Sequence, residues 1–139
     1  MRRYLVVGNQ TLTSNELLGE MLRRAEAEPS SFHVVVPMTH PTGAWSEGSA
    51  HAAAQARLEA AVERFKGAGL DVTAEVGDAS PVAAVGDALI AQPDVDEIIV
   101  STLPEGSSVW LSNNVVRRIT REHPHYVVTH VSPVPVSMA

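Results

Sequence analysis

The side chains best placed to do chemistry lie in the stretch Glu97 to Arg118, EIIVSTLPEGSSVWLSNNVVRR. Its apolar run Ile98-Ile99-Val100 stops abruptly at the hydroxyls of Ser101 and Thr102. A loop follows, and apolar residues then recur at helical spacing at Leu111, Val115 and Ile119. A short apolar run of this kind reads as a parallel strand covered on both faces. In open α/β sheets the ligand sits beyond the carboxyl ends of the strands, so a site is expected at Ser101, Thr102 and the loop after them. The chemistry it would serve is anion binding. A helix begun by Asn113 or Asn114 and running from Val115 to Arg121 presents backbone N–H groups that have no partner within the helix. Two readings stand side by side: those donors receive a phosphate, or the asparagine side chain caps them itself. Pro104 lacks an N–H and so weakens any cradle made from the loop backbone.

Other reactive residue types carry less. Ser107-Ser108 has no Gly-x-Ser-x-Gly elbow around it and reads as a cap or a polar loop. Histidines stand at 33, 40, 51, 123, 125 and 130, and His123-Pro124-His125 brings two close together. That pair precedes the last strand, at the opposite end of the sheet from the expected pocket. No cysteine accompanies it and no helical metal-ligand spacing appears, so no metal is expected. Arg117, Arg118 and Arg121 read as cations in the last turn of the final helix, where they complement its dipole. Trp45 and Trp110 either cover a flat ligand or pack into the core. No acid/base pair and no nucleophile with a partner can be placed, and no catalytic activity is expected.

Composition narrows the setting. With 139 residues, 45% hydrophobic and 19% charged, the chain is expected to be one globular domain over 1–139. A formal net charge of −6 disfavours nucleic acid and anionic membranes as partners. The absence of cysteine excludes disulfides and thiolate chemistry. Tyr4 to Val7 is too short for the ~7–15-residue core of a signal peptide. No stretch approaches the ~20 apolar residues of a membrane span. A cytoplasmic location is the expectation.

The elements that position the loop alternate along the chain. Tyr4-Leu5-Val6-Val7 is an apolar strand stopped by Gly8-Asn9-Gln10. Thr13-Ser14-Asn15-Glu16 has the form of a capping box with Thr13 as N-cap, ahead of Leu17, Leu18, Met21, Leu22 and Ala25 at helical spacing. Phe32 to Val36 is a second strand ended by Pro37, and Pro37 to Ser49 is an irregular segment expected to border the pocket and to move more than the strands. A helix with Ala54, Leu58, Ala61, Val62 and Phe65 on one face stops at Gly67 or Gly69. Leu70, Val72, Ala74 and Val76 alternate with Asp71, Thr73 and Glu75, which marks an edge strand with one wet face. Ser80-Pro81 supplies an N-cap and first helical residue for a helix through Ile90. Tyr126 to Val131 is the fifth strand. Right-handed crossovers then give a three-layer α/β/α, Rossmann-like fold with a five-stranded parallel sheet of order 3-2-1-4-5, whose switch point lies between strands one and four.

Nearly the whole chain, with these motifs, resembles the universal stress protein family. Gly77-Asp78 matches a Gly-Asp pair that members carry before the third helix. Their first strand usually ends in an aspartate that contacts the nucleotide, and Asn9 stands there. Nucleotide-binding members carry Gly, a two-residue gap, Gly, and after a longer spacer Gly-Ser or Gly-Thr. Here Ser101 and Pro104 occupy the first two positions, and Asn113-Asn114, or Asn114-Val115 at strict spacing, the last pair. No motif glycine is retained, so the chain resembles the subset without the full ATP motif.

The resemblance implies the same strand order and a divergent nucleotide pocket bordered by Gly8, Asn9, Val36, Ser101, Thr102, Asn113 and Asn114. It also implies a homodimer through the strand Tyr126 to Val131, which carries no formally charged side chain and would leave an open edge. Val128 or Val131 is expected to face the partner, and the tail Val134-Pro135-Val136 to cross to it. The leading expectation is a non-enzymatic stress-response or regulatory protein with no cofactor, acting through dimerisation and an unidentified protein partner. The alternative is a module that holds ATP or AMP weakly through Asn9, Thr102 and the Asn113-Asn114 helix start.

Overall fold

Runs rich in valine and isoleucine, covered from both sides, set the architecture. The computed structural model describes residues 1–9, 11–38, 47–103 and 114–132. They form β1 (Arg2–Val7), α1 (Asn15–Ala27), β2 (Ser30–Pro37), α2 (Glu47–Gly67), β3 (Val72–Gly77), α3 (Pro81–Ala91), β4 (Glu97–Ser101), α4 (Val115–Glu122) and β5 (Val127–Val131). The strands make one parallel sheet in the order β3-β2-β1-β4-β5, as the alternation of patterns predicts. Trp45, Pro104, Ser107-Ser108, Trp110, Asn113, the tail Val134-Pro135-Val136 and most of the Pro37 to Ser49 segment lie outside the described residues.

The period of two along each strand divides the core into two layers. Tyr4, Val6, Phe32, Val34 and Ile99 point into the layer filled by Leu17 and Met21 of α1 and Leu58 and Phe65 of α2. Leu5, Val7, Val35, Ile98 and Val100 point the other way, against Val85 and Leu89 of α3 and Ile119 of α4. All five residues of β4 are buried, which is why its sequence shows no alternation. β3, at the sheet edge, alternates because Thr73 and Glu75 remain exposed.

Helix ends follow local chemistry, with a shift from expectation at α1. Ser14, not Thr13, is the N-cap of α1, and its hydroxyl accepts the Leu17 N–H at 3.2 Å. The preceding turn consumes Thr13, because the Ser14 N–H bonds to the Thr11 carbonyl at 3.0 Å. The end of α2 is closed by a Schellman motif: Leu70 N–H donates to Phe65 O and Gly69 N–H to Lys66 O, with Gly69 at φ 88°. Ser80 caps α3 through the Ala83 N–H at 3.3 Å, with Pro81 in its first turn.

Gly77 answers to space. A Cβ there would lie 2.8 Å from Val35 Cγ1 and 3.0 Å from Ala84 Cβ, so α3 packs directly on the backbone. Asp78 follows to accept the Ser80 N–H at 2.9 Å, which turns the chain into α3. Gly77→Ala is therefore expected to cost about 1–3 kcal/mol through overpacking, read as a lower denaturant midpoint at unchanged slope. An unchanged midpoint would show that α3 can lift away freely.

At the amino end of the sheet a polar cluster replaces apolar packing. Glu97 is only 7% exposed. Its carboxylate accepts two bonds from the Arg24 guanidinium, at 2.8 and 3.4 Å, and one from the Thr129 hydroxyl at 2.5 Å. Burial pushes the Glu97 pKa up, but the Arg24 and Thr129 hydrogen bonds outweigh it and hold the carboxyl below its ordinary range. Arg24 also pairs with Glu20 at 2.9 Å and lies over the Tyr4 ring, which stacks on Phe32 with centroids 5.0 Å apart. No helix among the described residues is long and apolar enough to cross a membrane.

Candidate functional site

The carboxyl ends of β1 and β4 meet at the switch point, as the strand order requires. The chain fills much of this crevice with its own turn. Thr11 and Leu12 are 4% and 1% exposed, and the Thr11 and Ser101 hydroxyls lie 2.5 Å apart across the junction. Gly8 is buried, and a Cβ on it would meet Leu12 Cδ2 at 2.8 Å and Ser101 Cβ at 3.3 Å. Ser101 is thus held in a hydroxyl pair.

Asn9 is engaged as well. Its amide nitrogen donates to the Pro37 carbonyl at 3.1 Å, tying the end of β1 to the end of β2. Its amide oxygen accepts from Arg57 of α2. An aspartate here would keep the Arg57 contact but lose the donor that holds Pro37. Between this turn and α2 lies a shallow cavity of about 250 Å³, lined by Asn9, Leu12, Thr13, Ala56, Arg57 and Ala60. Val36 is fully buried in the first core layer.

Thr102 is 2% exposed and satisfied on three sides. Its N–H bonds to Val131 O at 3.0 Å, and its hydroxyl lies 2.9 Å from Leu103 O and 2.7 Å from His130 Nε2. A carbonyl can only accept, so satisfying both contacts gives the hydroxyl proton to Leu103 and makes Nε2 the donor to Thr102. Burial holds the His130 pKa below its ordinary value, which favours the neutral Nε2–H imidazole.

The start of α4 departs from the capping reading. Asn114 adopts the left-handed conformation, φ 56° and ψ 36°, as an asparagine tolerates, but its side chain makes no cap hydrogen bond. The Asn114 carbonyl accepts the Arg118 N–H at 2.9 Å, and the side chain is exposed. Asn113, the other expected cap, lies outside the described residues. The arginines also divide. Only Arg121 lies in the last turn of α4, because the helix begins at Val115 and places Arg117 and Arg118 in its first half.

Of the expected site residues, Gly8, Asn9 and Ser101 meet around the switch point, and Thr102 turns instead toward β5. Thr11, Leu12, Arg57 and His130 were not expected there. A lone leucine among polar residues at Gln10-Thr11-Leu12-Thr13 was the available signal for a buried turn. Nothing in the spacing pointed to Arg57. His123 is the C-cap of α4, stacked edge-on against Tyr126 at 6.3 Å. Among the described residues no group of three or more His, Cys, Asp or Glu is arranged to hold a metal ion.

Neither a protein-family model nor a curated protein matches the sequence. Among solved structures, the chain is similar to the universal stress protein from Archaeoglobus fulgidus, with a TM-score of 0.65 at 15% identity over 94% of this chain and 93% of that one. The likeness is one of fold, and the fold is the five-stranded parallel sheet of order 3-2-1-4-5 that the sequence resemblance implied.

Proposed function

We propose that this chain is a non-enzymatic regulatory or stress-response protein of the universal stress type, acting in the cytoplasm through self-association and partner binding, with weak or no ATP binding. One observation carries the reading: the Thr11-Leu12 turn is buried in the crevice between β1 and β4, closed by the Thr11–Ser101 hydroxyl pair. A nucleotide entering there must displace an apolar side chain and separate two satisfied hydroxyls. Each loss subtracts from affinity, since buried polar groups left unpaired are costly. Calorimetric titration with ATP and AMP, with and without magnesium, is expected to give a Kd weaker than about 100 μM, or less than roughly 5.5 kcal/mol of binding. Micromolar affinity would overturn the reading.

A second reading is favoured by one specific observation, the left-handed Asn114, whose side chain makes no cap hydrogen bond to the first N–H groups of α4. It makes the chain an adenine-nucleotide module with a divergent loop. Co-purified nucleotide would support it. So would a gain in affinity on Pro104→Gly, Asn113→Gly and Asn114→Ser together, which restores the backbone donor that Pro104 lacks and removes two side chains from the loop backbone.

A further inference from the structure

The nine arginines of the chain fall into two groups. Arg2, Arg3, Arg23, Arg24, Arg57 and Arg64 each have a carboxylate or amide oxygen of the chain as partner. Arg117, Arg118 and Arg121 are exposed on α4 and make no ion pair or hydrogen bond from their side chains to any described residue. This happens in a chain with 16 acidic residues and a net charge of −6, where an internal partner is easily supplied. The helix dipole favours Arg121 in the last turn but not the other two. Arg117 and Arg118 sit in the first half of α4, toward its positive end, and its first turn holds no acidic residue. Val115 and Ile119 are buried in the core, so the guanidinium groups stand on a helix packed against it. Three exposed cations left without a partner, two of them in the half of the helix where its dipole disfavours them, are expected where residues serve something outside the chain.

We infer that the exposed face of α4 bearing Arg117, Arg118 and Arg121 is a docking surface for an acidic segment of a partner protein. The guanidinium fork pairs with carboxylates two bonds at a time, which gives such a surface direction as well as charge. Arg117 and Arg121 lie one turn apart, a rise of about 6 Å, and a patch that short contacts only a few anionic groups. A nucleic acid extending past it meets a protein of net charge −6, whereas a short acidic peptide does not have to extend. The inference deepens the partner-binding reading and rests on it. The nucleotide titration tests the ligand part of that reading separately, so either can fail alone.

The test uses the full chain and a fluorescein-labelled dodecapeptide rich in Asp and Glu, followed by anisotropy at low salt. Saturable binding is expected, weakened at least about tenfold in the triple variant Arg117→Gln, Arg118→Gln, Arg121→Gln. Because these side chains are exposed, circular dichroism should be unchanged. A charge-matched control, Arg3→Gln with Arg23→Gln and Lys66→Gln, should stay within about twofold of the parent. No saturable binding by the parent chain would overturn the inference, as would an equal loss in the control. Tighter binding of a single-stranded oligonucleotide, lost in the same triple variant, would overturn the assignment to an acidic protein segment.

Discussion

Glu97→Gln is expected to cost about 3 kcal/mol of folding stability at neutral pH, among the largest effects of any single polar substitution here. The carboxylate is 7% exposed and receives Arg24 and Thr129. Removing its charge leaves the Arg24 guanidinium, whose side chain is 17% exposed, with only Glu20 as counter-ion. The penalty is mostly that of a partly buried cation losing one of its two carboxylate partners, so it should shrink when both Arg24 and Glu97 are replaced. Arg24→Met with Glu97→Leu is expected to recover most of the loss. The pH dependence has a definite sign. The folded pKa of Glu97 lies below its reference value of 4.5. Its contribution is therefore fully present above that reference value and is lost as pH falls through the lower folded one. The gap between parent and Glu97→Gln in denaturant midpoint should be widest near neutrality and close in acid. A gap that stays constant to pH 3, roughly a unit below the ordinary glutamate pKa, would show that the pair contributes nothing through its charge.

The second large effect concerns mass. At tens of micromolar the chain is expected to run as a dimer in light scattering, and Val127→Lys to convert it to a monomer that keeps its fold. β5 lies at the open edge of the sheet beyond β4, with one row of backbone N–H and C=O groups unpaired among the described residues. Val127 is 62% exposed, a large apolar side chain at that edge. The only titratable side chain of β5 is His130, which burial keeps toward its neutral form. Val131 is a poor probe, contrary to the sequence expectation, because it is 8% exposed and belongs to the first core layer. Lysine there would damage the monomer. Val128 is half-buried against the second layer and suffers the same ambiguity. Thr73→Gln on the opposite edge should leave the mass unchanged. A monomeric parent chain would refute the dimer outright, and a dimeric Val127→Lys would move it elsewhere.

What was legible in the sequence was whatever a single strand or helix states about itself. The unbroken Ile98-Ile99-Val100 run placed β4 inside the sheet, and the alternation from Leu70 to Val76 placed β3 at its edge. Ser80-Pro81 stated its own cap. The site was less legible because its contacts join distant residues. The Thr11–Ser101 pair spans 90 positions and the Arg57–Asn9 pair 48, and neither leaves a periodic trace. The arginines were misplaced even though the helix start at Val115 was read correctly. In a helix of only eight residues, Arg117 and Arg118 already fall in the first half, and only Arg121 reaches the end where a cation is favourable.

The strand order has a consequence for how the chain is made. β1 is made before the other four strands of its sheet, yet it lies at the centre, and its second neighbour is β4. The Arg3 N–H, which bonds to Asp96, waits for a partner 93 positions later. At roughly 5–20 residues per second, that side of β1 stands open for about 5–20 seconds on the ribosome. β2 can close the other side early, so the nascent chain passes through a state with Tyr4-Leu5-Val6-Val7 exposed along one edge. Its yield on synthesis should therefore depend more on chaperones, and on slow elongation between β3 and β4, than the stability of the finished domain would indicate.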